Sequence, residues 1–187
     1  MKTRRTYAAA GLLAAAVLVL AGCGEGGSDS AAVPDGWGTL ETEGVSVSYP
    51  KRYEEQSAAE RSKYNAAAAV RTEGGRTVST LTVQLGFTEA DSAERAAIAA
   101  EAGIQMGADV KGTEDVELAG TDEARRIDFA FEATGEDGGP PKGTPVEGVI
   151  LTGLDSTGSA FAVRIDAQRG VLPDGDLEKI VDSVEVH

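Results

Sequence analysis

Val146-Glu147-Gly148-Val149-Ile150-Leu151-Thr152-Gly153-Leu154 and Ala160-Phe161-Ala162-Val163-Arg164-Ile165-Asp166-Ala167 are separated only by the turn-forming residues Asp155-Ser156-Thr157-Gly158 and Ser159. Both runs are rich in β-branched and aromatic side chains, so each predicts a strand. A connection this short joins antiparallel neighbours, because a parallel pair needs a crossover of about a dozen residues. The hairpin therefore decides the fold class, and the rest of the chain repeats it.

On the N-terminal side, Val110 to Leu118 and Ala124 to Ala133 form a second hairpin joined at Gly120-Thr121-Asp122. Ala66 to Thr72 and Val78 to Phe87 form a third around Glu73-Gly74-Gly75-Arg76, with Leu81, Val83, Leu85 and Phe87 assigned to one face. Val45, Val47 and Tyr49 alternate with Ser46 and Ser48 up to Pro50, and Trp37 to Glu41 supplies a partner strand. Asp91 or Ser92 caps a predicted helix over Ala93 to Met106, closed by Gly107. Leu177, Ile180, Val181 and Val184 stand at i, i+3, i+4 and i+7, the clearest helical stripe in the chain. Thr134 to Pro145, with four Gly and three Pro, predicts a flexible loop. Strands, helix, strands, helix with short connections predict an α+β layered domain. It has a hairpin-connected antiparallel sheet of about six to eight strands and two main helices.

With 187 residues the chain is long enough for one domain with its own core, and too short for a multidomain enzyme. Thirty-one acidic against 17 basic residues give a formal charge of −14, which repels phosphate backbones and argues against a nucleic-acid partner. One Cys excludes an internal disulfide and a Cys-based metal centre of the usual kind. The lone His187 is the last residue, an unpromising place for a catalytic imidazole.

Lys2, Arg4 and Arg5 form a positive n-region, and Ala8 to Ala21 carries no charge. That run suits a signal-peptide core better than a membrane span, which needs roughly 20 residues. It ends in Leu20-Ala21-Gly22-Cys23, which resembles a bacterial lipobox. The resemblance implies a signal peptide over 1–22, cleavage between Gly22 and Cys23, and diacylglycerol with palmitate-type chains on Cys23. Two acyl chains anchor a protein stably where one does not. The competing readings are a plain secretory signal followed by an incidental Cys, or an uncleaved span. Arg4-Arg5 leaves export by the general or the twin-arginine route open. Removing 1–22 leaves 14 basic and 31 acidic residues, a formal −17. Residues 23–36, rich in Gly, Ser and Asp, read as a flexible tether, and 37–187 as the single domain.

Gly44-Val45-Ser46-Val47-Ser48-Tyr49-Pro50 followed by Tyr53 resembles the first hairpin of PsbP-like domains, and Leu177, Ile180, Val181 and Ser183 are similar to their final helix. With the lipobox, the chain looks like an actinobacterial lipoprotein carrying such a domain. The resemblance implies a sheet sandwiched by helices and a role in binding or scaffolding, with no catalytic residues to carry over.

Motifs of catalysis and ligation are weak. Gly22, Gly24 and Gly27 match a dinucleotide spacing but straddle the cleavage site. Gly138-Gly139-Pro140-Pro141-Lys142-Gly143-Thr144 has its Lys before the Gly and two prolines that remove donors, so it is no phosphate cradle. No placed His completes a Ser/His/Asp triad, and Ser62-Lys63 are adjacent rather than spaced for Ser-Lys catalysis. A carboxylate pair for glycoside hydrolysis needs a cleft that so aromatic-poor a chain does not predict. Asp174-Gly175-Asp176 and Glu136-Asp137-Gly138 read as turns or caps, not calcium loops. Trp37 is either a partner anchor or a cap on the core edge. No catalytic residue, metal or cofactor is expected.

The remaining candidate is a sheet face. If Ile127, Phe129, Phe131, Phe161, Val163 and Ile165 share the core side, then Arg126, Asp128, Arg164 and Asp166 share the other, joined by Thr80, Thr82 and Gln84. Such a face is either a solvated exterior with cross-strand pairs or a site for a ligand. The expectation is a non-enzymatic lipoprotein on the outer side of the cell membrane, binding a small ligand or an envelope protein. The alternatives are a small envelope hydrolase acting on wall or lipid substrates, and an accessory subunit of a transporter or assembly machine.

Overall fold

The computed structural model describes residues 33–136 and 138–187. The signal peptide, Cys23 and the tether up to residue 32 lie outside the described residues. The chain runs β1 (Gly38–Glu41), β2 (Val45–Tyr49), β3 (Glu54–Glu55), β4 (Ala67–Glu73), β5 (Arg76–Leu85), α1 (Ala93–Ala102), β6 (Asp109–Leu118), β7 (Thr121–Glu132), β8 (Pro145–Leu154), β9 (Ala160–Gln168), α2 (Asp174–Asp182) and β10 (Glu185–Val186). No helix among the described residues is long and apolar enough to cross a membrane.

The strands form two sheets. Seven pair antiparallel in the order β3-β4-β5-β9-β8-β7-β6, and β1-β2-β10 make a separate small sheet. The α+β class and the hairpins are as the sequence predicts. The two-residue strands β3 and β10 are additions, since two residues carry no periodicity to read. β10 completes the small sheet by pairing with β2, and Val186 N–H bonds Ala119 O at 2.8 Å. That bond ties the C-terminal strand to the β6–β7 turn.

The large sheet is covered on both faces. On one side the small sheet and α2 bury Leu40, Val45 and Val47 with Ile180, Val181 and Val184 against Leu81, Val163 and Leu151. On the other, α1 lays Ala97 and Ala100 over Ile127, Phe129, Ile150 and Ala162. Full burial of a side chain such as Phe161 or Leu151 stabilises the fold by about 1.5–3 kcal/mol. The residues that carry the family resemblance meet in space. Tyr49 and Tyr53 place their ring centroids 6.4 Å apart, and Ser48 N–H donates to Ser183 Oγ at 2.9 Å across the small sheet and α2. Trp37 packs at the edge of the same core.

Two local expectations shift. α1 is capped by Ser92, whose hydroxyl accepts from Arg95 N–H, but it ends at Ala102 rather than Met106. Gly103 is a poor helix former, and leaving the helix there lets Ile104 settle on the core. Phe87 does not share the face of Leu81, Val83 and Leu85. Gly86 at φ +58° breaks the alternation, and Phe87 packs on the α1 side.

Candidate functional site

Cross-strand register corrects the single polar face. Ile127 pairs with Ile150, which pairs with Arg164, so Ile127, Phe129 and Arg164 lie on the α1 side. Leu151 pairs with Val163 and Arg126, and these lie on the α2 side. Arg126 and Asp128 are therefore on the opposite face from Arg164 and Asp166, and Phe161, Val163 and Ile165 do not share a face with Ile127, Phe129 and Phe131. Alternation fixes which residues of one strand share a face, but the relation between strands comes from register. Val149, Ile150, Leu151 and Thr152 are all buried, so β8 offers no alternation to reveal it. Thr80, which pairs with Asp166, and Thr82, which pairs with Arg164, join the α1-side pair as expected.

The aspartate of each charged pair lines its own cavity. On the α2 side, Arg126 Nε meets Asp128 Oδ2 at 3.0 Å and its Nη1 reaches Glu178 of α2 at 3.1 Å. Burial works against the charge of Arg126, but Asp128 and Glu178 outweigh it and hold the pKa above the ordinary value. Asp128 lines a cavity of about 200 Å³ with Lys111, Glu147, Asp174 and the side chains of Leu172 and Leu177.

On the α1 side, Arg164 Nε lies 3.1 and 2.9 Å from the two oxygens of Asp166. The guanidinium sits 5.0 Å from the centroid of Phe129, whose ring stacks on Phe131 at 6.1 Å and 10°. Phe129, Gly148 and Asp166 are successive cross-strand partners. A Cβ on Gly148 would collide with the Phe129 ring and stand 2.7 Å from Asp166 Oδ1, so this arrangement requires glycine. Burial pushes the pKa of Asp166 above the ordinary carboxylate value although Arg164 opposes the shift.

Asp166 and Thr80 line the larger neighbouring cavity, of about 280 Å³, with Phe131, Gln105 and Gln168. Its cover is the Gly-rich segment between β7 and β8. That segment is closed on itself by Gly143 N–H to Ala133 O at 2.8 Å, and reaches over the end of β9 to β5. There Thr77 N–H donates to Gly138 O at 2.7 Å and Arg76 Nη1 to Gly139 O at 3.1 Å. Sequence reasoning predicted a free loop at this place. Its bonds to β5 join positions more than 60 residues apart, a relation with no local signal. Gly148 and Gln105 were missed for the same reason.

The other motifs find structural places. Asp174 and Asp176 lie in the first turn of α2, where acidic groups complement the helix dipole, and Asp176 faces Arg52 and Lys179 at 3.8 and 3.9 Å. Among the described residues no three His, Cys, Asp or Glu side chains gather as a metal-ligand group. Ser62 and Lys63 are exposed, with Lys63 Nζ 5.0 Å from the Tyr64 ring. His187 is held by its backbone, donating to Gly44 O at 2.9 Å and accepting from Ser156 N–H at 3.0 Å. These bonds hold the chain end in place, and Ser156 belongs to the β8–β9 turn, at the far end of these strands from the Asp166 cavity.

No family model and no curated protein sequence matches the chain. Among solved structures, the solution structure of cyanobacterial PsbP (CyanoP) from Synechocystis sp. PCC 6803 superposes with a TM-score of 0.50 at 11% identity, covering 90% of this chain and 99% of that one. The fold is PsbP-like. A Bacteroides thetaiotaomicron protein matches with a TM-score of 0.47 at 12% identity over 76% of this chain, which spans 45% of that protein's length. The PsbP-like fold of this chain thus sets two cavities on opposite faces of one sheet, each lined by the aspartate of an Arg–Asp pair.

Proposed function

We propose that this chain is a lipid-anchored extracytoplasmic lipoprotein of actinobacterial type. Its PsbP-like domain binds a ligand or an envelope protein without turning it over. The observation that carries the binding role is the α1-side cavity lined by Asp166. Its charged groups are arranged for holding rather than for proton transfer. Arg164 occupies Asp166, and the only imidazole is tied to the opposite end of β8 and β9. General acid–base chemistry needs a titrating group within hydrogen-bond reach of the reacting atom, and both oxygens of Asp166 already face Arg164 Nε. The PsbP-like fold supports the same role.

Anchoring rests on the basic n-region, the uncharged run and Leu20-Ala21-Gly22-Cys23. Cys23→Ala tests it: the variant is expected in the culture medium, with the wild type in the membrane fraction. A processed Cys23→Ala protein that stays on the membrane refutes the anchor. Crosslinking of the anchored protein on intact cells then separates the partners. A discrete stoichiometric adduct identifies an accessory subunit of an envelope assembly. Hydrolysis of an ester, glycan or peptide substrate that disappears in Asp166→Asn overturns the non-enzymatic reading in favour of the hydrolase.

A further inference from the structure

The α1-side cavity differs from its counterpart under α2 in having no basic side chain among its described lining residues. Lys111 borders the α2-side cavity, whereas the described residues lining the α1-side cavity include Asp166 and Glu136 and neither lysine nor arginine. Arg164 approaches Asp166 from the helix side, where its Nη1 also meets Gly103 O at 3.4 Å, and it is not part of the cavity wall. A carboxylate offers about four acceptor positions, and Arg164 Nε engages one per oxygen. Glycine at 148 lets the Phe129 ring and Asp166 Oδ1 both lie close against the β8 backbone, and Asp166 itself lines the cavity.

The rest of the wall supplies further acceptors and an aromatic ring. Thr80 and Gln168 make no side-chain hydrogen bond among the described residues. Gln105 spends its Nε2 on Glu132 O at 3.1 Å, which leaves its carbonyl oxygen unengaged. Phe131, half-buried, presents a π-surface of the kind that attracts cations. A volume of about 280 Å³ is at the small end of ligand pockets, which run from about 300 Å³ upward.

We propose that this cavity binds a small organic ammonium ion. The –NH3+ group of a compact primary amine is received by Asp166 with the oxygens of Thr80 and Gln168, and its carbon chain lies against Phe131. The assignment rests on the binding role proposed above and specifies its ligand. Burial leaves Asp166 incompletely compensated by Arg164, so a second cation gains from meeting it. The strongly acidic chain also concentrates cations near its surface.

The test is amide NMR of the full chain in detergent, titrated with putrescine and, separately, with the diol of the same chain length. Putrescine is expected to give saturable shifts focused on the amides of Thr80, Asp166 and Gln168, and the diol none. Asp166→Asn is expected to weaken binding by at least roughly tenfold, the scale of a lost charge-assisted hydrogen bond. Because that variant strips Arg164 of its partner, Thr80→Val serves as a second, nearly isosteric one, with an expected loss of roughly threefold. An equal response to the diol, putrescine shifts scattered over the acidic surface, or no shifts at all each overturns the ammonium assignment. None of these outcomes touches the lipoprotein reading, which stands or falls on Cys23→Ala and on crosslinking.

Discussion

Gly148 and Asp166 face each other across β8 and β9, and a Cβ on Gly148 would stand 2.7 Å from Asp166 Oδ1 while running into the Phe129 ring. Gly148→Ala therefore has to displace a buried ring in the middle of the sheet. The expected cost is about 1–3 kcal/mol, the usual scale of overpacking. Urea denaturation measures it. A loss below a few tenths of a kcal/mol would mean that the ring and carboxylate move apart freely.

Tyr53 and Ser79 form a buried relay on the other face of β5. Ser79 Oγ donates to Asp166 O at 2.7 Å and lies 2.6 Å from Tyr53 Oη, which leaves the phenol to donate to the serine. Tyr53→Phe removes one donor and is expected to cost about 1 kcal/mol, since Ser79 keeps its carbonyl partner. Ser79→Ala strands both the phenol and the carbonyl, and is expected to cost more, about 1–3 kcal/mol. The order of the two midpoints in urea checks the direction of the relay.

Asp155 and Asp166 are expected to titrate on opposite sides of the ordinary Asp value of about 3.9. For Asp155 burial raises the pKa, but hydrogen bonds from the Thr157 hydroxyl and from the Ser159 and Thr157 amides lower it further, so the net shift is down. Its contribution to stability is present above the unfolded value and lost as pH falls through the folded one. Asp166 is raised, so the folded state binds its proton more tightly and stability falls as pH rises from the unfolded to the folded value. Carboxyl-carbon NMR titration reads both directions, and a depressed Asp166 would refute the assignment.

Arg126 links β7 to α2 through Glu178, with Nη1 to Oε1 and Oε2 distances of 3.1 and 3.2 Å. Glu178 is half exposed, so solvent screens the pair. A double-mutant cycle with Arg126→Met and Glu178→Gln is expected to give a coupling of about 0.5 kcal/mol, falling with added salt. Methionine preserves the buried stem, which isolates the charge. A coupling above about 2 kcal/mol would show that the pair, rather than the apolar face of Leu177, Ile180 and Val181, docks the helix.

The four hairpins, both helices and the antiparallel pairing within each hairpin are determined by local sequence. Alternation, turn residues at Gly74-Gly75 and Gly158, and a helical stripe at 177–184 act over a few residues and need no tertiary information. The sequence also singled out Arg126, Asp128, Arg164 and Asp166, as one polar sheet face alternating with apolar residues. What it does not contain is the register between strands. Tertiary packing alone sends the Arg126 pair under α2 and the Arg164 pair under α1. The same holds for the cradle at Gly148, set by Phe129 and Asp166 on the flanking strands, and for the cover that ties Gly138 to Thr77. Burial on both faces erases the alternation that would reveal sidedness, so the face a residue occupies is decided when the sheet assembles, and the cavity with it.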